Sequence, residues 1–232
     1  MSGQGAIMSV RLPVGGVHLE GELTEPSGAR AVVVFAHGSG SGRHSPRNQA
    51  VAAELAANGF ATLLFDLLTA EEEREDALTA RLRFDVALLA GRLGEVVDWV
   101  RGETAPGRAA RVGLFGASTG AAAALVTAAD HLGDVGAVVS RGGRPDLAGD
   151  ALDAVRAPTL LIVGGRDVEV LSLNERALVR LGADAGHELV VVPGAGHLFA
   201  EPGALEKVSH LAVGWFGRHL PAESGHTNGP AA

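Results

Sequence analysis

The 232-residue chain has no cysteine and a single lysine, Lys207. The first absence removes disulfides, thiolate metal ligands and thiol nucleophiles together, but is compatible with any compartment. The second leaves arginine as almost the whole basic complement, a composition bias rather than a sign of function. Positive charge is nowhere concentrated: 27 Asp and Glu face 19 Lys and Arg, for a formal charge of −8. That balance argues against a nucleic-acid backbone as partner. No run approaches the roughly 20 apolar residues of a membrane span. Met1–Val10 has neither a positive leader nor an apolar core, so no secretory signal and no membrane partner are expected, and the expected location is cytoplasmic. The nine histidines show no H-x-x-x-H or H-E-x-x-H spacing, so no metal is expected. The glycine-rich stretch Gly38–Gly42 lacks the G-K-[ST] ending of a phosphate loop. No acidic pattern supports a dinucleotide site, so no cofactor is expected either.

What is present is a globular composition, 47% hydrophobic and 20% charged, with a length that suits one domain. Apolar runs of strand length alternate with segments of helical periodicity. Val10–Leu12 and Val17–Leu23 flank a Val-Gly-Gly turn and read as an antiparallel pair. Ala31–Phe35, Phe60–Phe65, Arg111–Phe115, Gly136–Ser140, Thr159–Val163 and His187–Val192 read as further strands. Helices are expected over about 46–58, 84–100, 119–131, 171–181 and 202–219. Leu67–Arg83, with its acidic run at Glu71–Glu73, Glu75 and Asp76, reads as a solvated loop with an exposed helical face. From Pro221 onward the sequence reads as a polar tail, leaving a core of about 10–220. This alternation implies an α/β fold with a mostly parallel sheet of about eight strands and helices on both faces. Sites in such sheets lie at the carboxyl ends of the strands.

Chemistry concentrates at those ends. Gly116-Ala117-Ser118-Thr119-Gly120 follows a short apolar strand and opens an alanine-rich helix, the setting in which G-x-S-x-G forms a nucleophile elbow. Glycine is needed two residues either side of Ser118 because the sharp turn brings backbone close to its neighbours. Asp167 follows the strand ending in Val163, and His197 follows the last strand through Pro193-Gly194-Ala195-Gly196. Serine is a poor nucleophile at neutral pH, so a histidine must take its proton, and an aspartate must orient that histidine. Glu169 is an alternative acid. His37-Gly38-Ser39 follows the third strand, where the backbone N–H groups of Ser39 and Thr119 could converge on an acyl oxygen. His37 itself reads as structural. Arg141 and His44 are candidate substrate contacts, beside Arg43, Arg47 and Arg144. The plainer reading is ion pairs with the many carboxylates for Arg141 and Arg144, and a solvated loop and helix start for Arg43, His44 and Arg47.

The order Ser118, Asp167, His197, with these motifs, resembles the α/β-hydrolase superfamily over about 10–220. In length and layout it is similar to the compact dienelactone-hydrolase-like branch. The resemblance implies a Ser-His-Asp triad, an oxyanion hole at Ser39 and Thr119, and no cofactor. Dienelactone hydrolases proper carry cysteine at the elbow; serine at 118 favours serine-esterase chemistry on small esters or lactones. Arg141–Pro158, where larger relatives insert a lid domain, has room only for a loop and a short helix, so an open cleft is expected. A thioesterase, acyltransferase or perhydrolase would use the same residues, and a binding protein could keep the fold without turnover. The oligomeric state is left open.

Overall fold

The computed structural model describes residues 5–109, 111–182 and 185–220; the tail expected from Pro221 lies outside them. β1 (Ile7–Val14) and β2 (Val17–Thr24) pair antiparallel across Gly15–Gly16, both at positive φ, as a tight two-residue hairpin turn requires. β3 (Val32–Ala36), β4 (Ala61–Phe65), β5 (Val112–Ala117), β6 (Val135–Arg141) and β7 (Thr159–Gly164) are buried at every residue. Their continuous apolar runs reflect a sheet covered on both faces. β8 (Glu188–Val192) is the half-exposed edge. The eight strands form one sheet in the order β1-β2-β4-β3-β5-β6-β7-β8, antiparallel from β1 to β4 and parallel thereafter.

Helices cover both faces. α1 (Pro46–Ala57) is capped by Ser45, whose hydroxyl accepts from the Asn48 N–H. α2 (Ala70–Thr79) opens on a capping box, with Thr69 and Glu72 exchanging hydrogen bonds. α3 (Val86–Glu103), the short α4 (Ala105–Ala109) and α5 (Thr119–Asp130) follow. α6 (Val168–Leu181) and α7 (Ala204–His219) complete the set. α3, α5 and α6 bury their apolar stripes on one face of the sheet. α1 and α7 pack on the other, around Phe35, Phe60, Phe115, Trp215 and Phe216.

The expected strands and main helices are present. The acidic segment carries the expected exposed helical face, as α2, but is more than a solvated loop: a capping box and the ion pairs Glu72–Arg92 and Asp76–Arg83 hold it in place. Between β6 and β7 there is only a kinked 3-10 segment, Pro145–Ala154. β3 leads through α1 on one face to β4, and β4 leads through α3 on the other face to β5, so β4 and β5 flank β3 and a crevice opens at its carboxyl end. That is the switch point where α/β sheets bind ligands.

Candidate active site

Ser118 stands at that crevice with φ 51° and ψ −119°, a conformation costing a non-glycine residue about 1–3 kcal/mol. Three hydrogen bonds fix it. Its N–H donates to the Arg141 carbonyl (3.2 Å), and its carbonyl accepts from Ala121 (3.1 Å) and Arg144 (3.0 Å). The flanking glycines are demanded by contact. A Cβ on Gly116 would run into Cα of Ala121, and one on Gly120 into the carbonyl oxygens of Ala36 and His37. Ala121–Ala124 are wholly buried, so α5 lies close against the sheet. Ser118 thus sits one residue before a helix N-terminus, where unpaired N–H groups favour negative charge.

The candidate acid and base come from neighbouring strand ends, those of β7 and β8. His197 Nδ1 lies 2.6 Å from Asp167 Oδ2. With Asp167 ionised, Nδ1 carries the proton and donates, which leaves Nε2 as a lone-pair acceptor. The two loops are bolted together. A Cβ on Gly164 would stand 2.5 and 2.6 Å from the carbonyl oxygens of Ala195 and Gly196. The Arg166 N–H donates to the Ala195 carbonyl at 2.9 Å. Glu201 pairs with the Arg166 guanidinium and accepts from the Gly196 N–H at 3.1 Å. Gly142, next to Arg141 whose carbonyl holds Ser118, would bring a Cβ within 3.5 Å of the His197 ring. Asp167 and His197 are therefore joined, with Ser118 two strands from Asp167, past β6 at the end of β5. Among the described residues Ser118 Oγ makes no hydrogen bond. Glu169, the alternative acid, makes no bond to His197.

On the oxyanion side, the Ser39 N–H donates to Thr119 Oγ1 at 2.9 Å. The expectation that this amide faces an acyl oxygen is thus qualified: the Thr119 hydroxyl occupies it and must rotate away first. Gly38 brings the loop against Ser118, where a Cβ would stand 3.0 Å from that of the serine. His37 is buried, its Nδ1 2.9 Å from the Gly38 carbonyl and its Nε2 accepting from the Leu67 N–H at 3.0 Å. Burial holds its pKa below the usual histidine value. A neutral ring, donating from Nδ1 and accepting at Nε2, satisfies both bonds, which is the structural role read from sequence.

A cavity of about 1000 Å³ lies beside the elbow, lined there by Gly38, Ser39 and Thr119 but not by Ser118, Asp167 or His197. Its walls are the loop Gly40–Arg47, residues 66–70 and the Glu73, Asp76 and Ala77 face of α2. The cleft is consequently less open than the missing lid domain suggests, because α2 walls it. His44 lines this cavity, exposed, 3.4 Å from Glu22. Arg43, on the loop read as solvated, is tied instead to Asp66, and Arg144 is tied to Asp146, so the ion-pair reading holds for Arg144. It fails for Arg141, which is 7% exposed without a carboxylate partner among the described residues.

One group among the described residues, Asp98, His131 and Asp134, has metal-ligand spacing. It sits at the amino end of β6, away from the crevice, and Asp134 is already paired with Arg101. Sequence reasoning missed Gly164 and Glu201, which brace the acid and base loops. The signal for Gly164 is its place in Gly164-Gly165-Arg166-Asp167, a glycine just inside a strand end.

The sequence profile of the dienelactone hydrolase family matches residues 19–215. A dienelactone hydrolase from Anabaena variabilis, known by crystal structure, is 53% identical; the match covers 94% of this chain and all of that one, with a TM-score of 0.90. An esterase from Pyrococcus furiosus shares the fold at 16% identity, with a TM-score of 0.72 over 93% of this chain and 92% of that one. Proteins from two strains of Mycobacterium tuberculosis, provisionally named phosphoribosyl transferases, are 58% identical over 219 residues. That alignment takes in 93% of this chain and 48% of theirs, so the chain spans about half the length of these curated relatives.

Proposed function

Because the chain belongs to the dienelactone hydrolase family, we propose that it is a serine hydrolase cleaving carboxylic esters, small esters or lactones, through an acyl-enzyme on Ser118. The observation that carries this reading is the 2.6 Å contact of His197 Nδ1 with Asp167 beside a strained serine elbow. Asp167 holds the proton on Nδ1, so Nε2 accepts the Ser118 proton as Oγ attacks the acyl carbon. Negative charge grows on the acyl oxygen at the N-terminus of α5, where the Thr119 N–H is available. Rotation of the Thr119 hydroxyl frees the Ser39 N–H as the second donor. His197 then protonates the leaving alkoxide. Water, deprotonated by the same Nε2, attacks the acyl carbon and returns Ser118. The chemistry needs no metal or cofactor.

The transferase name of the mycobacterial relatives belongs to proteins of which this chain covers 48%. Steady-state hydrolysis of p-nitrophenyl acetate and butyrate by wild type and Ser118→Ala tests the proposal. Turnover that vanishes in the variant supports it; equal turnover in both proteins overturns it. Added peroxide or an alcohol acceptor, with product analysis, separates hydrolysis from acyl transfer by the same residues.

A further inference from the structure

Arg141 ends β6 on the α1 face of the sheet, and its backbone carbonyl holds Ser118. Its side chain is more than nine-tenths buried. Nε and Nη1 have no hydrogen-bond partner, and Nη2 has only a long, 3.5 Å contact with Asn48 Oδ1 in the first turn of α1. The neighbouring residue Arg47 has a buried Nε without a partner too, and no ion pair reaches it among the described residues. Burial and the Arg47 charge together push the Arg141 pKa down to about 10, still cationic at neutral pH. A buried guanidinium and a half-buried one thus stand at the N-terminus of a 12-residue helix with no acidic residue in its first turn. Every element of that arrangement is positive. A buried charge without a partner costs several kcal/mol, and a like charge beside it adds to the cost. Carboxylates are not scarce in this chain, since 27 Asp and Glu are available, yet none is placed here.

We propose that Arg141, Arg47 and the N-terminus of α1 form a subsite for a phosphate monoester group carried by the substrate. Arg47 lines the large cavity, and Arg141, outside that lining, reaches Asn48 in the same first turn of α1, so a ligand entering the cavity meets Arg47 first. Charge selects phosphate over carboxylate. A phosphate monoester carries about −1.5 to −2 at neutral pH and offers three acceptor oxygens, matching two guanidiniums and a helix terminus. A monocarboxylate would compensate the charge of only one of the two guanidiniums. The inference rests on the ester-hydrolase reading only in making the phosphate part of an ester substrate; capture of the anion does not require it.

Thermal unfolding with inorganic phosphate, acetate or chloride at matched ionic strength is the test, on wild type, Arg141→Met, Arg47→Gln and Ser118→Ala. Phosphate is expected to raise Tm saturably in wild type and in Ser118→Ala, well beyond acetate. Arg141→Met is expected to melt higher than wild type without phosphate, since it removes an unpaired buried charge, and to lose the phosphate shift. Arg47→Gln, at a half-buried position, is expected to weaken phosphate at least about tenfold. No phosphate-specific shift in wild type overturns the proposal, as does acetate matching phosphate, or a shift that survives both arginine substitutions. If Arg141→Met does not fold, Arg47→Gln decides alone. A phosphate shift lost in the arginine variants of a protein without esterase activity keeps the subsite and rejects the ester-hydrolase reading.

Discussion

Ser118 is held in its unfavourable backbone conformation by glycines that nothing larger can replace. In Gly120→Ala the new methyl meets two fixed carbonyl oxygens, those of Ala36 and His37, and neither can yield as a side chain would. The variant is expected to lose about 1–3 kcal/mol or more of stability, read by urea unfolding, together with esterase turnover. A variant with wild-type stability would show that the elbow has more room than these contacts allow. Asp167→Asn keeps the shape of the acid but favours the wrong tautomer of His197. A fall in kcat of about 10⁴ is expected, with the fold intact. Glu201 acts one step further out. Glu201→Ala frees the Gly196 N–H and the Arg166 side chain, and the drift of His197 that follows is expected to lower kcat by up to about 100-fold. Glu201→Gln, which keeps an acceptor for Gly196, should recover most of that loss. Equal losses in both variants would mean that the charge of Glu201, not its hydrogen bond, matters.

Among the elements, α2 shows how far sequence reasoning reaches. β3, β5 and β7 could be located because parallel strands covered on both faces are continuous apolar runs. Ser118 and Asp167 fall just past β5 and β7; His197 follows the half-exposed edge strand β8. α2 has no such signature: of its ten residues only Asp76 is buried, and five are acidic. Its helix is fixed by polar contacts with partners distant in sequence, Arg92 on α3 above all, which no local periodicity reports. The bolt between the Asp167 and His197 loops escaped for the same reason, since Arg166 and Glu201 lie 35 residues apart. The Arg92 guanidinium holds the Glu72 carboxyl down at about 2. A carboxyl depressed in the folded state stabilises above the ordinary carboxylate range, and that contribution is lost as pH falls from there toward 2. Wild type should therefore lose more Tm between pH 7 and pH 3 than Glu72→Gln does. Identical pH dependence in the two proteins would remove Glu72–Arg92 as the anchor of α2.

At the scale of the whole molecule, the sheet order brings the loop after β3, the elbow after β5 and the acid and base after β7 and β8 to one edge. The cavity beside them is walled by α2 and lined by charged side chains as much as by apolar ones, which suits compact polar acyl or alcohol groups better than long alkyl chains. p-Nitrophenyl acetate should accordingly be turned over with a higher kcat/KM than the decanoate; the reverse preference would mean that α2 moves aside to admit long chains. All of this depends on Ser118 being a nucleophile. Intact-mass spectrometry after treatment with a fluorophosphonate tests that most directly, on wild type and Ser118→Ala with a peptide map of the adduct. The account predicts one phosphonyl group on wild type, located at Ser118, and none on the variant. A folded wild-type protein that remains unlabelled, or a label that persists in Ser118→Ala, would contradict it.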